Sequence, residues 1–209
     1  PGGLVPPSQE IHAAVQRVRK PVVVSMGQAA TSGGYYVACA ADKIVANPGT
    51  ITGSIGVRAD LVNIRELMGK VGVSREIVVS GEYKDAGDPS QPLTDKERRY
   101  FQEMVDDLFE QFLKAVAQGR GMEPEKVRQF ADGRAFTGRQ AHEKGLVDSL
   151  GGRMKAKDML KRRSGLTGSV PFVEGPEKQT SLLELLLNWL GFSWMKDAAS
   201  QNQDWVVRY

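Results

Sequence analysis

At 209 residues, with 41% hydrophobic and 25% charged side chains, the chain has the composition of an ordinary globular domain, which excludes disordered and fibrous classes. Its formal charge is only +3, and the basic residues are scattered among acids, so no stripe marks a nucleic-acid partner. A lone Cys39 excludes an internal disulfide, no Cys/His cluster has zinc-ligand spacing, and no apolar run reaches ~18 residues, so neither a metal, a cofactor nor a membrane span is expected from the residues.

The chain opens on Pro1-Gly2-Gly3, which reads as the middle of a strand-to-helix turn and leads to the expectation of an upstream part, including any membrane anchor. "SQEIHAAVQRV" (8–18) then places Ile11, Ala14, Val15 and Val18 on one helical face, with Ser8 as N-cap. "PVVVSM" (21–26) is a continuous apolar run suited to a buried parallel strand. A turn over 27–31 leads to a helix starting near Ser32, in which Cys39 is expected as a buried small hydrophobe. The strand "KIVAN" (43–47), a Gly/Thr-rich loop (48–56), a helix near 60–70 and the strand "REIVVS" (75–80) follow. Strands alternating with helices predict an α/β fold with a mainly parallel sheet.

After the polar loop 85–93, Thr94 and Glu97 form a capping box before a long helix that runs to about Gln118. Its stripe of Phe101, Met104, Val105, Leu108, Phe112 and Val116 is core or subunit interface. Shorter helices are expected near 124–131 and 138–144, with a basic helix at 153–163. Residues 1–165 then make one domain and 166–209 a helical and extended extension. Within the extension, "SLLELLLNWLGFSWM" (181–195) is a packed helix, an oligomer seam or a membrane-surface segment.

A serine needs a base before it is a nucleophile, and His12 and His142 both fall on amphipathic helices as surface or half-buried residues. A lysine can take that role if its pKa falls from ~10.4 toward ~7, a differential destabilisation of the ammonium of roughly 4–5 kcal/mol that requires a partly dry cleft. Lys84, in "SGEYKDAGD", follows directly on the expected strand 75–80, and strand ends are where open α/β sheets place their sites. Ser32 precedes Gly33-Gly34 at an expected helix start, where unpaired N–H groups favour an oxyanion. Taken singly, Ser32 reads as well as a helix cap, and Lys84 as a solvated surface residue.

Four segments change that balance: "PGG" (1–3), "PVVVSMGQAATSGGYYVACAADKIVANPGTITGSIGV" (21–57), "SGEYKD" (80–85) and "DGRAFTGRQAHEKGLVDSLGG" (132–152). In this order and spacing they resemble the signal peptide peptidase A family, also called protease IV, of bacterial Ser-Lys proteases with the ClpP/crotonase fold, a repeated β-β-α superhelix. The resemblance covers roughly residues 1–160. It implies Ser32 as the nucleophile, Lys84 as the general base and Ser54 as the hydroxyl that orients the lysine. It also implies Gly3 and Gly33 as oxyanion donors, with Tyr35, Tyr36, Ile55 and Val57 as substrate-pocket lining or core.

The short members of that family share each site between neighbouring subunits of a ring or dome, which implies a homo-oligomer. They act on extended apolar peptides, remnant signal peptides among them, which bind by strand addition. Their catalytic domains lie on the extracytoplasmic side of the bacterial cytoplasmic membrane. In some relatives the C-terminus reaches toward a neighbour's cleft, a role open to "DWVVRY" (204–209). Two rival functions share the fold: a crotonase-type acyl-CoA enzyme, and a silent scaffold that organises membrane proteins. Neither rival needs Ser32 and Lys84 together.

Overall fold

The computed structural model describes residues 1–173, Gly175 and the short strand at 207–208. By contacts the chain divides into two compact units, one of Pro1–Gly165 with Val206–Tyr209 and one of Leu166–Trp205. The segment 181–195 lies outside the described residues, as does most of 204–209.

Helix α1 spans Val5–Gln16 and starts earlier than its sequence pattern predicts, with Leu4 as cap and prolines in its first turn, where their missing N–H costs nothing. Ser8 therefore lies inside the helix, with its hydroxyl donating to Leu4 O at 2.8 Å. The buried face also differs from the expected one: Val5, Ser8 and His12 face inward, whereas Ile11 and Val18 are half exposed. The inward positions meet α2 (Gly33–Ala38) closely: His12 Nδ1 lies 2.8 Å from Tyr36 O, and Ser8 Oγ lies against the backbone of Gly33.

Two small sheets follow from one repeated pattern. Strand β1 (Val23–Met26) pairs in parallel with β3 (Lys43–Ala46), which pairs in parallel with β7 (Ser149–Leu150). Strand β2 (Ala29–Thr31) pairs in parallel with β4 (Ile51–Gly53), and β6 (Ala135–Thr137) joins β4 antiparallel. The turn expected over 27–31 and the loop expected over 48–56 thus each contain a three-residue strand, too short to leave a periodic signal. Strand β5 (Arg58–Ala59) pairs antiparallel with β8 (Val207–Arg208). The architecture is α/β with mainly parallel pairing, as the alternation of elements predicts.

The remaining helices are α3 (Arg65–Lys70), α4 (Asp95–Arg120), α5 (Pro124–Arg128), α6 (Gly138–Glu143) and α7 (Arg153–Arg163). Both halves of the Thr94–Glu97 capping box are formed at the start of α4. The far half of α4 buries Phe112, Leu113 and Val116 in the core beside Tyr35, Met26, Ile44 and Leu146. The strand expected at 75–80 is absent, and Val78 is 92% exposed. A strand needs a neighbour to satisfy its backbone, and this apolar run has no partner edge among the described residues.

Asp148 ties these layers together. It accepts from Lys43 Nζ at 2.8 Å, from the Ile44 N–H at 2.8 Å and from Arg120, whose Nη1 lies at 2.9 Å. Burial raises its pKa, but the hydrogen bonds from Arg120, Lys43 and Ile44 outweigh that and hold the carboxyl below its ordinary value. No helix among the described residues is long and apolar enough to cross a membrane.

Candidate active site

Ser32 stands between β2 and α2 with φ 56° and ψ −120°, a conformation that L residues rarely adopt. It is held there from both sides, because its N–H donates to Gly53 O at 2.8 Å and its carbonyl accepts from the Tyr36 N–H at 2.9 Å. The side chain is nearly buried, at 7% exposure. A strained, over-determined serine at a strand-to-helix turn is an arrangement that functional sites favour.

The N-terminal stretch packs onto this turn. Gly2 N–H donates to Thr31 O at 3.0 Å, which lays Gly3 beside Gly33. A Cβ on Gly33 would meet Ser8 Oγ at 2.7 Å and Gly2 O at 3.0 Å, and one on Gly3 would meet Ser8 Oγ at 2.9 Å. The close approach of the two segments is therefore available only to glycine at both positions. Gly33 is the first helical residue, so its N–H has no acceptor within the helix. Ser8 is the wedge between them, which sequence reasoning assigned to a cap; only the three-dimensional approach of α1 to α2 reveals it.

Ser54 has φ 52° and follows Gly53, the residue that accepts the Ser32 N–H, so the two serines terminate adjacent strands. Its own N–H donates to Arg134 O at 2.9 Å, and Ile55 O accepts from Gly133 at 3.0 Å, so the loop 132–134 closes the far side. The structure thus brings Gly3, Ser32, Gly33 and Ser54 together.

Among the described residues no hydrogen bond joins Lys84 to them. Lys84 lies exposed in a turn over 80–87, with its N–H donating to Gly81 O at 3.0 Å, and its ammonium makes no hydrogen bond or ion pair among the described residues. Of the pocket residues expected by resemblance, Tyr35, Tyr36 and Ile55 are core side chains, and the Tyr35 hydroxyl donates to Leu146 O at 2.9 Å. Val57 is half-buried against that core.

Other nucleophiles and bases are engaged elsewhere. Burial pushes the Cys39 thiol up to about 12, and its Sγ contacts Tyr36 O at 3.1 Å, so no thiolate is available there. His12 is buried rather than at the surface or half-buried as expected, and its Nδ1 lies 2.8 Å from Tyr36 O; that carbonyl can only accept, so Nδ1 carries the proton. His142 is exposed and engages Val147 O at 2.9 Å. Among the described residues neither imidazole bonds Ser32.

The model of Peptidase family S49 matches residues 14–167. The chain belongs to this family. The S49 chain is 45% identical over 168 residues to slr0021 of Synechocystis sp., provisionally named a protease, covering 79% of this chain and 61% of that protein. It is 36% identical to the chloroplastic serine protease SPPA of Arabidopsis thaliana over 80% of this chain and 25% of that one. Identity to protease 4 of Salmonella typhi is also 36%, over 72% and 25%. The chain therefore spans between a quarter and three-fifths of these curated relatives. Among solved structures, a ClpP1 mutant from Listeria monocytogenes superposes with TM-score 0.47 at 16% identity, covering 74% of this chain and 70% of that one.

Proposed function

We propose that the chain is the catalytic part of a serine endopeptidase in which Ser32 is the nucleophile and Lys84 the general base. The carrying observation is the strained, buried Ser32 turn, with Gly3 and Gly33 packed face to face beside it. Membership of a peptidase family and a relative named as a serine protease support the same chemistry.

In this mechanism Lys84 Nζ takes the Ser32 proton as Oγ attacks the scissile carbonyl. The oxyanion that forms accepts hydrogen bonds from the Gly33 and Gly3 N–H groups, donors already fixed before reaction. Collapse breaks the C–N bond, and the lysine passes its proton to the leaving amine. Water then attacks the acyl-enzyme, with the lysine accepting its proton and Ser32 recovering it. Ser54 Oγ orients the lysine amine.

The base arrives from a neighbouring copy. Lys84 is exposed and its ammonium has no partner among the described residues, and the segment before it in the chain displays Val62, Leu67, Val71, Val73 and Val78 at 52–92% exposure. Five large apolar side chains exposed over 62–78 fit an interface better than solvent. Val57 and the neighbour's surface then line the cleft, and Tyr35, Tyr36 and Ile55 support it from behind. The substrates are extended apolar peptides such as remnant signal peptides, cut at the extracytoplasmic face of a bacterial cytoplasmic membrane.

Mixing Ser32→Ala with Lys84→Ala proteins under conditions of subunit exchange tests the scheme. Recovery of cleavage of an apolar fluorogenic peptide is the expected outcome. No recovery in an intact mixed assembly sinks the shared site, and full activity of either variant alone sinks the dyad.

A further inference from the structure

The turn that carries Lys84 is fastened on both flanks, although its ammonium has no partner among the described residues. Before the lysine, Glu82 forms an ion pair with Lys96 in the first turn of α4. The Lys96 ammonium also lies 5.2 Å from the centroid of the Tyr83 ring, which leans on Tyr100 with centroids 5.1 Å apart. Tyr100 in turn meets Phe101 at 5.2 Å. After the lysine, Asp85 accepts from the Gln91 amide at 2.8 Å, and Asp88 pairs with Arg75 at 2.8 Å.

An exposed ion pair by itself stabilises little. Here one ammonium serves both a carboxylate and an aromatic face, and the two tyrosines add a ring contact of their own. The hydrogen bond to Glu82 raises the Lys96 pKa, so this ammonium stays charged across the range in which a neutral lysine base would titrate. The far half of α4 is buried in the core, so whatever is fastened to its first turns is fixed relative to the whole subunit.

We propose that Glu82, Tyr83, Lys96 and Tyr100 form a clamp that positions Lys84 for proton transfer. The proposal rests on Lys84 being the base, and these four residues act through it rather than on substrate. A lysine has four rotatable carbons and sits in a turn that contains Gly81 and Gly87, so without the clamp its amine samples a wide volume. Proton transfer tolerates little of that, because it needs the amine within hydrogen-bond reach of the hydroxyl. If the lysine serves a neighbour, the clamp is what sets its reach across the interface.

The test compares Tyr100→Ala, Lys96→Ala and the milder Glu82→Gln with Tyr100→Phe and Lys96→Arg, and includes Lys84→Ala as reference. For each, kcat and KM on an apolar peptidyl aminomethylcoumarin are measured across pH, with sedimentation velocity to establish assembly. The alanine variants are expected to lose about tenfold or more in kcat with KM nearly unchanged, and to move the acidic limb of kcat to higher pH, because a freed lysine is better solvated as its cation. Glu82→Gln shifts the limb in the same direction by less, while Phe and Arg restore wild-type behaviour.

Assembled alanine variants with unchanged kcat and an unmoved limb overturn the clamp. If the alanine variants fail to assemble, an unmoved limb in Glu82→Gln does the same. An active Lys84→Ala protein removes the base and the clamp with it, whereas an inactive one beside wild-type clamp variants removes the clamp alone.

Discussion

Ser32 carries a cost as well as a role. Its φ of 56° is outside the ordinary range for a residue with a Cβ, and such strain costs on the order of 1–3 kcal/mol. Ser32→Gly is therefore expected to raise stability by about 1 kcal/mol in urea titration while abolishing labelling by a fluorophosphonate. Ser32→Ala loses the labelling without that gain. Gly33→Ala acts differently, since its methyl would drive Ser8 or the Gly2 carbonyl aside and displace a proposed oxyanion donor. Labelling should slow by about a hundredfold in a protein whose far-ultraviolet spectrum is unchanged.

A second residue-level expectation concerns acid. The Asp148 carboxyl is held below its ordinary value by Arg120, Lys43 and the Ile44 N–H, so its contribution is complete above the unfolded value near ~4 and disappears as pH falls through the lower folded one. Asp148→Asn leaves Arg120, 7% exposed, without its counter-charge and should cost about 3 kcal/mol at neutral pH. The difference from wild type, followed by urea titration, should be flat above about pH 5 and shrink below about pH 4. A difference that grew on acidification would contradict this account.

At the scale of elements, helix packing depends on a few positions without side chains. A Cβ on Gly119 of α4 would lie 2.0 Å from Cys39 O at the end of α2, a backbone atom with little freedom to move. Gly119→Ala is expected to destabilise by about 2–3 kcal/mol, seen as a lower urea midpoint, despite improving helix propensity. The long helix was legible from Thr94, Glu97 and the 3.6-residue stripe, because those signals are local. Helices α6 and α7 were legible for the same reason, as were β1 and β3 from their apolar runs. Strands β2, β4 and β6 were not, since three residues of a sheet held by hydrogen bonds to Thr31, Gly53 and Arg134 carry no pattern of their own. The inward face of α1 escaped too: burial of Ser8 and His12 follows from how closely α2 approaches, which hydrophobicity does not encode. For the site, residue types at four separated places were legible through resemblance, but their contacts were not. Nothing local in "SGEYKD" says that Lys84 ends in a turn fastened to the start of α4.

For the whole molecule, the informative feature is surface that a lone chain leaves uncovered. Val62, Leu67, Val71 and Val78 are all 60% exposed or more, and they precede the lysine turn in the chain. Under the proposed shared site, Leu67→Glu with Val78→Glu is expected to dissociate the oligomer in sedimentation velocity and to remove activity, with the single-chain melting transition hardly changed because neither side chain is in the core. A variant that dissociates yet keeps wild-type activity would place the whole dyad within one chain.

The two parallel pairings that build the serine turn, Val23 with Lys43 and Ala29 with Ile51, join neighbouring stretches of chain, while β6 and β7 return from far along the sequence. Contacts between near neighbours form first, at low loop-closure cost. The Ser32 turn can thus be shaped early in folding. Under the proposed shared site, a newly made chain would carry a finished serine turn before another copy brings the base. That proposal makes activity depend on crowding: specific activity should fall on dilution below the assembly threshold and return on concentration.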